Sequence, residues 1–543
     1  MTSYAQRMAA ELNPNGISSL VEAFDTVCME YGQSPAFSCL GQTISYAEFG
    51  LLTKRFSSFL MGPLSLKPGD RIAIQLPNIT QYPIAVWGAW RAGLIVVNTN
   101  PMYTAREVKH QFKDSGAVAL VVLDSLLPLV EAVIEGTDIK NVIATSAIDM
   151  VQPQNAFKAS DSFKAIGSRN ADGAVIAFND VLDCEIDQLD EVALSMDDIA
   201  VLQYTGGTTG PSKGAMLTHG NLFSARTLSR KSVVLNKQGT PEILIAVLPV
   251  YHVFGFTANV VGSVLFASLS VMIPDPRNLD SIIAAMKAYP FTNMAGVNTL
   301  LSSLMKHPEF DSIDFSNITG VIVGGTALVK EIGEEWQQRT GTMLYEGYGL
   351  SETSANAACN RPESHELGTV GPSMLYQEIK TIDADGETVA NGERGEICVR
   401  GPHVMTGYWR RPEATAESID IDGWFKTGDV GIIQENGHLK IVDRIKDMII
   451  VSGFNVYPNE VEAVIYGHKD VVECAVIGVP SESTGEAIKL YVVSDNSELT
   501  EADIIEYGRI ELTSYKVPKQ IVFMDDLPKS PAGKILRREL REL

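Results

Sequence analysis

Apolar residues at Leu20, Ala23, Phe24 and Val27 share one face of a helix, and an apolar run at 36–40 follows as a short strand. Beyond it the period switches repeatedly between strand-like and helix-like. Residues 71–76 alternate as a strand, 81–92 carry helical spacing, and 93–98 are a continuous apolar strand. Thr104 and Glu107 form a capping box opening a helix to about residue 114, and 116–123 reads as another buried strand. Strands alternating with helices predict parallel sheet with right-handed crossovers. The rhythm weakens over 149–193, a polar Ser/Asn/Ala/Asp-rich stretch read as an irregular surface insertion. It resumes with strands at 243–248, 320–324 and 343–347 and a helix at 328–339.

From Val370 the strands shorten and alternate, with turns at Asp385-Gly386, Asn391-Gly392 and Asn436-Gly437, which predicts antiparallel pairing. A boundary falls near 441–446. Past it, helices at 458–466 and 501–513 and strands at 472–479, 487–493 and 521–524 suffice for a small α/β domain. The division is therefore 1–443 and 444–543, as a chain of 543 residues requires more than one core.

Composition is that of a soluble globular protein, with 45 % hydrophobic and 20 % charged residues. The net charge of −23 repels nucleic acid and anionic lipid at long range, so a nucleotide has to be captured by local cations. Six scattered cysteines, without a Cys-x-x-Cys pair or histidines at metal-ligand spacing, suit a reduced cytoplasmic setting. Residues 1–16 lack the pattern of an export signal, and the longest apolar stretch, 260–273, is too short to span a bilayer. Peripheral contact with the inner face of a membrane, and a homodimer, are compatible with all of this.

The densest chemistry lies in Tyr204-Thr-Gly-Gly-Thr-Thr-Gly-Pro-Ser-Lys-Gly-Ala-Met-Leu-Thr-His219. Its glycines admit close approach of an anion, its hydroxyls and amides donate, and Lys213 supplies a charge, a composition suited to polyphosphate. It is not a Walker loop, because Lys213 stands between Ser212 and Gly214, and the nearest dinucleotide-type stretch, Gly347-Tyr-Gly-Leu-Ser-Glu352, ends in glutamate. It resembles, nearly residue for residue, the phosphate loop of the adenylate-forming enzymes. Further stretches agree in order and spacing: Leu248-Pro-Val-Tyr-His-Val-Phe-Gly255, Gly324-Gly-Thr326, Glu346-Gly-Tyr-Gly-Leu-Ser-Glu352, Trp424-Phe-Lys-Thr-Gly-Asp429, the run 442–462, and Pro528-Lys-Ser-Pro-Ala-Gly-Lys-Ile-Leu-Arg-Arg-Glu539. The wording of Tyr204-Thr-Gly-Gly and Gly453-Phe-Asn-Val-Tyr-Pro is most similar to bacterial long-chain fatty acyl-CoA synthetases.

The resemblance implies an α/β fold: a large N-terminal domain of α/β subdomains with a distorted antiparallel barrel, plus a small mobile C-terminal α/β domain. It implies ATP and CoA as co-substrates, Mg²⁺ as cofactor, and a two-step reaction through an acyl-adenylate. ATP would be held by Thr205, Gly206, Gly207, Thr208, Thr209, Gly210 and Lys213, by Gly324, Gly325 and Thr326, and by Glu346, Gly347, Tyr348, Gly349 and Ser351. Asp429 and Arg444 would take the ribose hydroxyls. Lys534, Glu352 and Lys213 would be the catalytic residues. Thr205 and Glu352 would serve the metal, and Lys534 would bridge carboxylate and α-phosphate. Lys446 would be the hinge and Gly453 would line the CoA channel. Ser351 departs from the family's threonine but keeps the hydroxyl, and Ile450 replaces a lysine of luciferase-type members, which argues against oxygenase chemistry.

His252, Phe254, Gly255, Gly296 and Val297 would line the acyl site, with glycines leaving room for a long chain. No charged group among 250–255 or 295–297 suits an amino-acid substrate. The expected activity is a fatty acid:CoA ligase for long or medium chains. Its rivals are an aryl- or short-acyl-CoA ligase, a carrier-protein-loading enzyme, and a catalytically decayed fatty-acid or nucleotide binding protein.

Overall fold

The computed structural model describes residues 3–151, 175–185, 192–205, 212–233, 242–452, 454–481, 484–530 and 535–543. Two eight-stranded sheets dominate it. In the first, Leu344–Tyr348, Gly320–Val323, Asn293–Gly296, Ile243–Ala246, Leu269–Met272 and Pro35–Cys39 run parallel in that order, with Ala358–Cys359 and Gln42–Ser45 antiparallel at the two edges. In the second, Ile199–Thr205, Ile95–Asn98, Arg71–Gln75, Ala119–Leu123, Asn141–Thr145 and Ile176–Ala177 are parallel, and Lys213–Thr218 and Gly407–Tyr408 continue it antiparallel. The α/β alternation predicted both. The capping box forms as expected, Thr104 accepting from the Glu107 amide at the start of the helix Ala105–Ser115.

The helix Gln81–Arg91 is buried on every side from Gln81 to Trp90, as its apolar circumference requires. It joins two strands of the second sheet, and its tryptophans tie it to its surroundings. Trp90 Nε1 donates to the Ala200 carbonyl at 2.8 Å, beside the second sheet, and Trp87 Nε1 to Val260 at 3.3 Å, next to the first. The rings of the two tryptophans meet edge to face at 4.9 Å.

The apolar stretch 260–273 lies inside the protein. Its beginning completes a π-helical segment, Phe256–Gly262, and its end forms the buried strand Leu269–Met272. Among the described residues, no helix is long and apolar enough to cross a membrane. Within 149–193, the described residues include the strand Ile176–Ala177 and the helix Phe178–Leu182, so that part is not the irregular insertion expected. Its apolar residues Phe178, Val181 and Leu182 are buried, but the signal is shorter than a periodicity test needs.

The strands Glu378–Ile382, Arg394–Arg400, Phe425–Ile433 and Leu439–Arg444 form an antiparallel sheet whose described hydrogen bonds follow an open path. One 3-10 turn, Ile445–Asp447, separates its last strand from Ile449–Val451, which already belongs to the C-terminal sheet. There Ile449–Val451, Phe454–Val456, Gly485–Val493, Glu473–Ser481 and Gln520–Phe523 are covered by the helices Pro458–Tyr466 and Glu501–Glu511. Arg537 fastens the last helix, Arg537–Glu542, donating to Glu462 at 2.7 Å and Asn459 at 2.8 Å.

Two buried histidines make the fold sensitive to acid. Burial pushes His219 down to about 4 and His403 down to about 3. A depressed folded-state value contributes stability above the unfolded value of 6.5, lost as pH falls toward the folded one. His403→Leu should therefore lose less stability than the parent between pH 6.5 and 4.5, by up to about 2–3 kcal/mol at ~1.4 kcal/mol per pH unit. Urea midpoints of the two chains at both pH values test this; parallel losses would refute it.

Candidate active site

The phosphate-type loop connects two antiparallel strands, Ile199–Thr205 and Lys213–Thr218, with Thr205 and Lys213 as register partners. It does not lead into a helix N-terminus, so the helix dipole that serves many phosphate sites is not at its end. Gly206, Gly207, Thr208, Thr209 and Gly210 lie outside the described residues, but their frame does not. Tyr204 donates its hydroxyl to Asp114 at 2.8 Å, Asp114 also pairs with Arg411, and a His110 ring nitrogen stands 3.0 Å from the Ser212 carbonyl. Lys213 is exposed, its ammonium 5.0 Å from the centre of the Tyr408 ring.

Across from this frame, Asp429 and Arg444 face each other in adjacent strands. Arg444 Nε donates to Asp429 Oδ1 at 3.1 Å, and Tyr348 donates its hydroxyl to Asp429 Oδ2 at 2.6 Å. Burial, with the Asp429 carboxylate beside it, holds the Tyr348 phenol well above its ordinary range, so it remains a donor. Glu352, in the 3-10 turn Ser351–Thr353, accepts from the Tyr408 hydroxyl at 2.8 Å. Burial raises the Glu352 carboxyl, while that hydroxyl and Arg444 favour its ionised form. Glu346 accepts the Leu328 amide at 2.9 Å, and its buried Oε2 has no partner among the described residues. Burial pushes its carboxyl up to about 7. Thr326 follows the strand Gly320–Val323 through Gly324 and Gly325, and its hydroxyl accepts from Asn298 at 3.2 Å.

These groups share one cleft of about 2540 Å³. Its walls include Thr205, Lys213, Gly324, Gly325, Thr326, Glu346, Gly347, Tyr348, Gly349, Ser351, Glu352, Asp429, Arg444 and Lys446, and also His252, Phe254 and Val297. His252 Nδ1 accepts the Phe254 amide at 3.4 Å, capping the short helix that precedes the π-helical segment. Gly453 and Lys534 lie outside the described residues; Ser530 and Ile535, flanking the latter, line the cleft. Residues from both sides of the 445–447 turn therefore face the same space.

Gly255 and Gly296 are not part of the cleft wall. A Cβ on Gly255 would stand 2.3 Å from the Pro249 carbonyl oxygen, and one on Gly296 would stand 3.3 Å from Leu301. Glycine at 255 serves the close approach of two backbone segments, a reason that only the folded chain displays. Sequence reasoning also missed Tyr408, the partner of both Lys213 and Glu352. It sits in a two-residue strand, Gly407–Tyr408, with no charge or spacing to single it out.

Comparison with known proteins gives two family matches. Residues 24–409 match the AMP-binding enzyme family and 460–534 the AMP-binding enzyme C-terminal domain. A long-chain-fatty-acid–CoA ligase of Salmonella typhimurium is 41 % identical over 547 aligned residues, covering 100 % of this chain and 97 % of the relative. A protein of the same name from Escherichia coli O157:H7 is 40 % identical with the same coverage. Among solved structures, ATP-bound MatB from Rhodopseudomonas palustris superposes with a TM-score of 0.84 at 29 % identity, over 96 % of this chain and 98 % of that one.

Gly255→Ala should destabilise the chain by about 1–3 kcal/mol through overpacking, lowering turnover of all acids together. Thermal melts and a chain-length series check it. An unchanged melt with a shortened substrate range would mean that position 255 shapes the acyl pocket after all.

Proposed function

The chain belongs to the AMP-binding enzyme family, and on that premise we propose that it is an ATP-dependent, AMP-forming fatty acid:CoA ligase for long- or medium-chain acids. The observation that carries this reading is the lining of the cleft. Tyr348, Asp429, Arg444 and Glu352 converge at one part of it, and the wall continues through the apolar residues Val253, Phe254, Ala295 and Val297. A nucleotide and an acyl chain are the pair of ligands that such a space suits. The likeness to long-chain-fatty-acid–CoA ligases along the full chain supports it.

The first half-reaction brings a carboxylate to a triphosphate. At ~4 Å and an effective dielectric of ~20, each unit-charge repulsion is on the order of 4 kcal/mol, so cations are needed at the reacting centre. Lys213 takes the departing pyrophosphate, while Lys534 bridges the carboxylate and the α-phosphate. Tyr348 lies against the adenine, its ring fixed by the bond to Asp429, and Asp429 and Arg444 hold the ribose hydroxyls as acceptor and donor. Glu352 and Thr205 would hold Mg²⁺. One carboxylate and one hydroxyl suit an ion that takes its remaining ligands from phosphate and water, and Tyr408 occupies only one carboxylate oxygen. When bound, the ion neutralises phosphate charge and orients the leaving group. The carboxylate oxygen attacks the α-phosphorus and pyrophosphate leaves.

In the second half-reaction the CoA thiolate attacks the acyl carbonyl and AMP departs. We assign Lys446 to a hinge that turns the segment 444–543, withdrawing Lys534 and bringing Gly453 to the path of the pantetheine. A glycine there lets a thin chain pass.

Pyrophosphate release and CoA consumption, measured with saturated acids from C2 to C18 and with benzoate, should peak at medium or long chains. A maximum at C2, C4 or benzoate would overturn the substrate assignment, and adenylation without CoA consumption would favour carrier loading. Lys534→Ala should lose adenylation by at least about 100-fold, about 2.7 kcal/mol, yet still convert supplied acyl-adenylate to thioester. Equal loss of both half-reactions would refute the two-orientation scheme.

A further inference from the structure

The inner end of the cleft is charged, which a pocket for a plain alkyl chain does not require. The helix His219–Ser232 turns Arg226 and Ser229 toward the cleft, and the π-helical segment Phe256–Gly262 offers Asn259 and Gly262 opposite them. Arg230 and Glu242 complete this end. Glu242 precedes the strand Ile243–Ala246, whereas Pro249 and Tyr251 follow it. The charged end is thus separated from the His252 region by the length of that strand, about 13 Å at ~3.3 Å per residue.

Glu242 is already engaged. It pairs with Arg230 and accepts from Ser268 at 2.8 Å and from Asn293 at 3.4 Å. Arg226 is not: its Nε is buried and has no hydrogen-bond partner among the described residues. The guanidinium carbon lies 5.8 Å from the centre of the Phe266 ring. A Cβ on Gly262 would stand only 2.4 Å from the Arg226 Nε, so the arginine fills the room that a side chain at 262 would take. Burial lowers the guanidinium to about 10, still protonated at neutral pH. Two guanidinium groups against one carboxylate leave this end with net positive charge. An alkyl terminus driven against it would strip water from an unpaired cation and return nothing, whereas a substrate oxygen would satisfy it.

We propose that Arg226 is a specificity-determining residue that reads the distal end of the acyl chain, and that the preferred acid carries a second carboxylate there, as an α,ω-dicarboxylic acid. This rests on the reading of the cleft as the acyl site of a CoA ligase. Arg226 donates to the distal carboxylate while the proximal one is adenylated, so the chemistry of the reaction is unchanged.

The test is kcat/KM by pyrophosphate release for monoacids and matching α,ω-diacids from C8 to C16, using the full chain and the variants Arg226→Leu, Arg226→Lys and Gly262→Ala. The parent should favour the diacid at least 10-fold. Arg226→Leu should invert that preference through KM, Arg226→Lys should retain part of it, and Gly262→Ala, which keeps the charge but displaces Nε, should weaken it. Melting curves identify any variant that fails to fold, and the remaining ones still decide. An equal monoacid-to-diacid ratio in the parent and every folded variant overturns the proposal, as does a parent that prefers monoacids. No turnover with either series would instead remove the ligase reading, and this inference with it.

Discussion

Two anions have to meet in this cleft, and the chain that brings them together has a net charge of −23. The overall field opposes both ligands, so attraction must be local and the cations must be held where they act. The structure does this by pairing. Arg444 is set by Asp429, Arg537 by Glu462, and Arg411 by Asp114, each acid fixing a guanidinium that would otherwise sample many positions. Lys213 is different: it lies over the Tyr408 ring, which orients an ammonium without neutralising it. A loop spanning two antiparallel strands has no helix dipole to draw on, and the charge for phosphate has to come from such side chains.

Rigidity of the walls follows from the core between the two large sheets. The buried helix Gln81–Arg91 reaches the Ala200 carbonyl through Trp90 and the Val260 carbonyl through Trp87. Ala200 begins the strand that ends at Thr205, and Val260 lies in the π-helical wall of the acyl side. Phosphate frame and acyl wall are therefore referenced to one helix. By contrast, a 3-10 turn of three residues joins the antiparallel sheet to the C-terminal one, which concentrates any relative movement in a short segment.

Much of this was legible in the residues. Strand and helix periods located both large sheets, the capping box at Thr104 located a helix start, and the Asx-Gly turns located the antiparallel sheet. Motif order brought together Thr205, Lys213, Tyr348, Glu352, Asp429 and Arg444, which do face one cleft. What stayed hidden depends on direction in space. The missing side chain of Gly255 points at the Pro249 carbonyl and not into the cleft. Tyr408 and Arg226 carry no motif, and their roles arise from partners 56 residues away in Glu352 and 36 away in Gly262. Short buried elements such as Phe178–Leu182 fall below the length at which a period can be counted.

The π-helical wall Phe256–Gly262 has a consequence for how this protein can diverge. Its i→i+5 hydrogen bonds accommodate one more residue per turn than an α-helix does, and such bulges persist where they aim a side chain. Point substitutions along it alter one lining group at a time. Loss of a single residue would restore the α repeat and rotate everything that follows, carrying Asn259 and Gly262 off the cleft and opening the place that Arg226 fills. Changes of substrate in this lineage can thus come abruptly, by a one-codon deletion that re-indexes the wall rather than by gradual resizing of it.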